Sequence, residues 1–376
     1  MKIFKSLEVF MGEEKVGTLA AMKDGRVAFE YDEQWLVDGF SISPFSLPLE
    51  KKVFIPKPEP FDGLFGVFAD SLPDGWGRLL VDRMLVREGV NPYTVDSLNR
   101  LAIVGDSGMG ALSYRPVHEL GEKRENLDYD HLADACRELL KTEYTEDLDE
   151  LFLLGGSSGG ARPKIYTTYE GEDWIVKFPS SMDREDIGET EYRYSLCARK
   201  CGLEMMETRL FPSQRCAGYF GTKRFDRSHG RDGKKEKVHM VSVSGLLETS
   251  HRIPNLDYHL LMKLALSLTK DYSQVELLFR QMCFNVFAHN RDDHSKNFTF
   301  LYCREENGWR LSPAYDLTYS HSVGGEHATC VDGNGRNPGH KELLKVADTI
   351  GLERERSARM AKEIEEIVEH ELGDLL

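Results

Sequence analysis

No stretch of the 376-residue sequence reaches the roughly 18 consecutive uncharged apolar residues that a membrane-spanning helix needs. The opening MKIFKSLEVFMGEEK also lacks an apolar run of signal-peptide length, so the expectation is a cytoplasmic chain with no membrane partner. Cysteine is sparse. Cys136, Cys197, Cys201, Cys216, Cys283, Cys303 and Cys330 are odd in number and irregularly spaced, which fits reduced thiols better than a disulfide framework. Only Cys197 and Cys201 lie close together, and without a second pair at finger spacing they do not read as a zinc site. Positive charge is short as well: 48 Lys and Arg stand against 63 Asp and Glu, a net −15. That balance argues against a free-standing nucleic-acid binder, whose affinity comes largely from neutralising phosphates. Internal repeats, low-complexity tracts and a recognisable helix-turn-helix are absent too. What remains is an ordinary globular composition, 40% hydrophobic, at a length suited to two or three domains.

Residues 6–31 alternate apolar-rich runs with the turn signals Gly12-Glu13-Glu14 and Asp24-Gly25, which predicts a small antiparallel sheet. After the Pro-rich link 55–60, stretches 75–88 (GWGRLLVDRMLVRE), 93–103 and 128–141 have helical spacing of apolar residues, with the first subdomain closing near Pro116. The acidic stretch 143–150 reads as a solvated connection. Leu151-Phe152-Leu153-Leu154 then precedes the glycine-rich Gly155-Gly-Ser-Ser-Gly-Gly-Ala-Arg-Pro-Lys164, and two short strands follow around a Gly-Glu-Asp turn. A helix is expected over 185–203, a strand over 219–226, and helices over 258–270 and 273–288. Beyond a polar loop at 289–297 come strands 298–303 and 309–311 about a Glu-Glu-Asn-Gly turn. The tail 340–370 reads as two helices broken at Gly351.

The loop His289-Asn290-Arg291-Asp292-Asp293-His294-Ser295-Lys296-Asn297 holds more ionisable and amide groups than a connection requires. A hairpin after it returns the chain to the same end, so Asp292, Asn297 and Asp316 are expected to converge. Two carboxylates and an amide oxygen make a hard oxygen-donor site suited to Mg²⁺. Asp with Asn five residues on is also the spacing of phosphotransferase loops, in which Asp accepts a hydroxyl proton and Asn holds metal. Two other readings stay open: an Asx-rich turn capping a strand, and a hydrolase metal centre of His289, Asp292, His294 and Asp316.

Phosphoryl transfer also needs a cradle for the triphosphate, which backbone N–H groups of a glycine loop supply because no Cβ blocks close approach. Gly155–Lys164 lacks the P-loop pattern, and as a strand–loop–strand unit it matches the kinase type. Lys177, on the next strand, is expected to point inward with Ile175, its charge met by ATP phosphates together with Glu191 or Glu189. Singly, these are a glycine linker, a surface Lys and solvated helix acids. Their order along the chain is what favours an ATP site.

In this combination the sequence resembles the HipA family, kinase toxins of bacterial toxin–antitoxin pairs. The resemblance rests on Asn290-x-Asp292-x-His294-x-Lys296-Asn297, Pro313-x-Tyr315-Asp316, Ser157-x-x-Gly160-Ala161-x-x-Lys164, Lys177-Phe178-Pro179, Glu189-x-Glu191-Tyr192 and Lys223-Arg224-Phe225-Asp226-Arg227. The stretch from Ala69 to Arg78, ADSLPDGWGR, belongs to it too. It implies a bilobal, protein-kinase-like α+β fold: an N-terminal β/α subdomain at 1–115, a lobe with the Gly-rich loop at 116–225, and a mainly helical lobe with the catalytic loop at 226–376. It implies a serine/threonine protein kinase using ATP and Mg²⁺, with Asp292 as base and His294 fixing its loop. Asn297 and Asp316 would hold the metal. Gly156, Ser157, Ser158, Gly159, Gly160, Lys164, Lys177 and Glu191 would serve the phosphates, Lys223 and Phe225 the adenine, and Asp226 the ribose side. Autophosphorylation would fall on Ser157, with Ser158 adjacent. Implied partners are a HipB-like helix-turn-helix antitoxin, through which any DNA contact would come, and a protein substrate such as an aminoacyl-tRNA synthetase. The short basic run 231–237 reads as an exposed loop. Rival functions are a small-molecule kinase of the aminoglycoside type and a catalytically silent antitoxin-binding module.

Overall fold

The computed structural model describes residues 2–120, 128–142, 144–230 and 233–376, so Glu143 of the acidic stretch and Arg231 of the basic run lie outside the described residues. The chain forms two compact units. The first comprises 1–188, 209–241 and 245–249, and the second 189–208, 242–244 and 250–376.

The first unit opens on the expected antiparallel sheet, with strands Ser6–Met11, Glu14–Ala21 and Val27–Tyr31. Val53–Phe54 joins one edge and Leu112–Arg115 the other. A second, four-stranded sheet has the order Lys164–Tyr169, Glu172–Lys177, Tyr219–Lys223, Thr208–Phe211. Its covered face carries Ile165, Trp174, Val176 and Phe211 against the helices Gly75–Arg87, Tyr129–Thr142 and Leu148–Gly155. Trp76, Leu80 and Met84, spaced four apart on the first of these helices, all enter that core. Each such side chain contributes about 2 kcal/mol from burial alone.

Two local expectations are corrected here. Residues 148–155 are helical, so the glycine loop follows a helix instead of a strand. The reason is periodicity: Leu148, Leu151 and Gly155 line one buried face, and Glu150, in the stretch read as solvated, is buried with them. On Glu172–Lys177 the core-facing residues are Trp174 and Val176, so Ile175 and Lys177 lie together on the opposite, half-buried face.

The second unit is mainly helical, with Tyr258–Thr269, Tyr272–Phe287, His340–Ile350 and Arg354–Leu372, together with most of Ile187–Lys200. Asp257 and Asp271 accept from backbone N–H groups at the starts of the first two helices. Gly351, at φ 84°, makes the break between the last two, a conformation in which glycine alone is unstrained. The hairpin Thr299–Cys303 with Gly308–Leu311 forms in the register Phe300 to Leu311 and Cys303 to Gly308. Among the described residues no helix is long and apolar enough to cross a membrane.

Candidate active site

Helix Tyr272–Phe287 delivers the chain to His289, where a φ of 50° turns it into the polar loop. Of the two adjacent aspartates, the structure gives opposite surroundings. Asp293 is fully buried: its carboxylate accepts from Tyr258 Oη at 2.9 Å and the Thr329 backbone N–H at 3.1 Å, and meets His327 Nδ1 at 3.0 Å. Tyr258 Oη accepts in turn from Asn285 Nδ2 at 3.0 Å, and Asn285 Oδ1 accepts from Asn290 Nδ2 at 2.9 Å. Burial and the neighbouring Asp293 charge push the Tyr258 phenol well above its ordinary range. This buried network anchors the loop from beneath.

Asp292 points the other way, its side chain 63% exposed, with His294 Nε2 3.8 Å from Oδ1. Its carbonyl oxygen accepts from Asn297 Nδ2 at 2.7 Å across the loop. That bond spends the amide nitrogen, so Oδ1 is the Asn297 atom that can serve a ligand. His294 Nδ1 accepts from the Lys296 N–H at 3.2 Å and caps the short turn Ser295–Asn297, a loop-fixing hydrogen bond. The chain after the hairpin runs alongside: Ser312 N–H donates to Thr299 O, Tyr315 Oη lies 2.6 Å from Lys296 O, and Ser320 N–H donates to His289 O. Asp316, at φ 54°, sits between the last two attachments and so flanks the loop. Tyr194 Oη donates to Ala288 O at 2.9 Å, tying in the helix that carries Glu191; Glu191 is buried, whereas Glu189 is exposed.

In the first unit, the glycine loop lies on the start of helix Gly75–Arg87. Ser157 Oγ donates to Ser107 O at 2.9 Å and is partly accessible, while Ser158 is fully buried with its Oγ donating to Gly155 O at 2.6 Å. Gly160 is exposed and Gly159 half-buried, and Lys164 Nζ reaches back to Gly159 O at 2.5 Å. Lys177 is paired in register with Lys164, and its ammonium stands 5.5 Å from the centre of the Phe220 ring. Lys223 and Phe225 are half-buried, Lys223 lying over the Trp174 ring. Asp226 has a different task from the one expected. It is fully buried between Arg224 and Arg227 and also accepts from the Gly110 N–H at 2.7 Å, so no oxygen of it faces a ribose. Burial opposes its ionisation, but the two guanidinium groups hold its carboxyl below the usual range.

The family model described as the HipA-like C-terminal domain matches residues 156–371, more than half the chain, and that of the HipA N-terminal domain matches residues 7–115. The chain belongs to the HipA family. HipA of Shewanella oneidensis MR-1, solved in a complex with HipB and operator DNA, superposes with a TM-score of 0.73 at 18% identity, over 98% of this chain and 90% of that one. The HipA-like α+β fold expected from sequence is therefore the fold observed. Two Sinorhizobium fredii proteins are also similar: "Putative kinase Y4dM", 25% identical over 326 residues, and "Putative kinase Y4mE", 26% identical over 350. Each alignment covers 83% of this chain and 76% of the relative.

Within this HipA-family chain, the second unit brings Asp292, His294 and Asn297 together, with Asp316 alongside, and the first unit groups the glycine loop with Lys164 and Lys177. Among the described residues no group of three or more His, Cys, Asp or Glu side chains that could hold a metal ion is found. Sequence reasoning passed over Asp293, whose identity as an anchor shows only through distant partners. It also passed over Asp74, whose carboxylate accepts from the Gly160 N–H.

Proposed function

We propose that this chain is an ATP-dependent protein serine/threonine kinase, the toxin of a toxin–antitoxin pair. One observation carries the reading: an exposed Asp292 carboxylate on a loop anchored from below by its buried neighbour, with its carbonyl bound by Asn297. A hydroxyl oxygen of the acceptor attacks the γ-phosphorus, its proton passes to Asp292, and ADP leaves. The exposed position suits a macromolecular hydroxyl.

The donor set fits magnesium, since Asn297 Oδ1 and the Asp316 carboxylate are hard oxygens. Bound there, the ion would neutralise charge on the phosphate oxygens. Lys164 and Lys177, side by side on one sheet face, favour an anion over that face, next to a loop whose glycines put no Cβ in the way of phosphate. Of the two acids weighed as companions of the phosphate-binding lysine, Glu191 is buried and Glu189 is exposed, which favours Glu191. Lys223 and Phe225 serve the adenine in this reading, and Asp226 is left out of the site.

Ser157 is the autophosphorylation acceptor we favour, because it is partly accessible whereas Ser158 is buried. A HipB-like antitoxin as partner is supported by the company of HipA in the Shewanella complex. Phosphosite mapping by mass after incubation with Mg-ATP tests the reading. A single phosphate on Ser157, absent from Asp292→Gln, is expected; an unmodified wild-type chain that also fails to bind Mg-ATP would overturn it.

A further inference from the structure

The start of helix Gly75–Arg87 directs a side-chain acceptor and a backbone donor to the glycine loop. Asp74 occupies the N-cap position, where an Asp side chain ordinarily accepts from the helix's own N–H groups. Here it makes no such bond, and its Oδ1 accepts from the Gly160 N–H. In the opposite direction the Trp76 N–H donates to Gly160 O at 2.9 Å. Both backbone polar groups of Gly160 are thus held by residues 74–76. Trp76 adds a second anchor, its Nε1–H donating to Lys164 O at 3.1 Å at the far end of the loop.

Glycine makes this approach feasible. A Cβ on Gly77 would overlap the Ser158 carbonyl oxygen, and one on Gly75 would overlap that of Gly160. Gly160 itself has a φ of 83°, a left-handed conformation that must be fixed if its neighbours' N–H groups are to point one way.

We propose that Asp74-Gly75-Trp76-Gly77 is a clasp that sets the conformation of the phosphate-binding loop, with Asp74 as a positioning residue for nucleotide affinity. This rests on the reading of 155–164 as the phosphate cradle. Residues of the N-terminal sequence segment then belong functionally to the ATP site although they touch no nucleotide.

The test compares Mg-ATP affinity and amide hydrogen exchange in wild type, Asp74→Ala and Asp74→Asn. Asp74→Ala should bind Mg-ATP about tenfold more weakly and exchange faster in 155–164 but not in 78–87. Asp74→Asn keeps an oxygen acceptor and should stay within about threefold of wild type. Should Asp74→Ala unfold, Asp74→Ser takes its place, being able to cap the helix but too short to reach Gly160. Wild-type affinity and exchange in the variant used, or equal losses in it and Asp74→Asn, overturn the clasp. A wild-type chain that binds no Mg-ATP instead overturns the function on which it rests.

Discussion

Lys164 and Lys177 stand directly opposite one another across the antiparallel strands Lys164–Tyr169 and Glu172–Lys177, so both side chains leave the same face of the sheet. Like charges in that arrangement are destabilising, and an anion over the pair converts the penalty into binding energy. Lys177→Met is therefore expected to weaken Mg-ATP binding by at least about tenfold. Calorimetric titration with Mg-ATP checks it.

Removing a metal donor should show as a changed metal requirement. Asn297→Ala deletes both the amide oxygen proposed to hold magnesium and the bond to the Asp292 carbonyl. Phosphate transfer should fall about a hundredfold at low millimolar Mg²⁺. Asp316→Asn, which leaves that bond in place, should be partly rescued by more Mg²⁺. Chelation by EDTA should stop transfer by the wild type altogether.

The two adjacent aspartates should separate cleanly in stability. Asp293→Ala strands the Tyr258 hydroxyl, the Thr329 N–H and His327 in the interior, and should cost about 3 kcal/mol in denaturant unfolding. At the exposed neighbour, Asp292→Ala should cost less than about 0.5 kcal/mol. Equal losses at the two positions would contradict the assignment of anchor and base.

His289 gives the fold an acid sensitivity of known sign. Burial, then the charges of Arg291 and His327, lowers its pKa below the ordinary 6.5. The unfolded chain therefore takes up a proton at a pH where the folded one does not. Stability contributed by neutral His289 is complete above about pH 6.5 and declines as pH falls from there towards the lowered folded value. His289→Asn, which tolerates the φ of 50°, should flatten that part of a plot of unfolding free energy against pH.

Elements with strong local signals were readable from the sequence. The hairpin after residue 298 announced itself through the Asn-Gly turn, with Asn307 at φ 47°, and the tail's two helices through Gly351. Asp292 and Asn297 share one loop by their spacing, and the structure adds the bond between the Asn297 amide and the Asp292 carbonyl; the expected convergence with Asp316 rested on the hairpin that follows. Residues 151–154 misled because four apolar residues before glycines fit a strand equally well, and the helical period becomes visible only when Leu148 is counted. Nothing local distinguishes Asp292 from Asp293. Their difference comes from Tyr258 and His327, more than thirty positions away on either side. Asp226 read as a ligand because a short motif shows its charge but not the burial that commits it to Arg224 and Arg227. In the same way the 69–78 stretch showed its glycines without showing what they made room for.

The most direct test of the account is phosphate transfer from γ-labelled ATP, to the chain itself and to a cell-extract substrate pool, by wild type and Asp292→Gln at matched folded concentration. With Asp292 as base on a loop anchored by Asp293, label should appear in the wild-type reactions and fall at least about a thousandfold in Asp292→Gln, with Mg-ATP binding and the unfolding midpoint unchanged. Transfer by Asp292→Gln at the wild-type rate would contradict it.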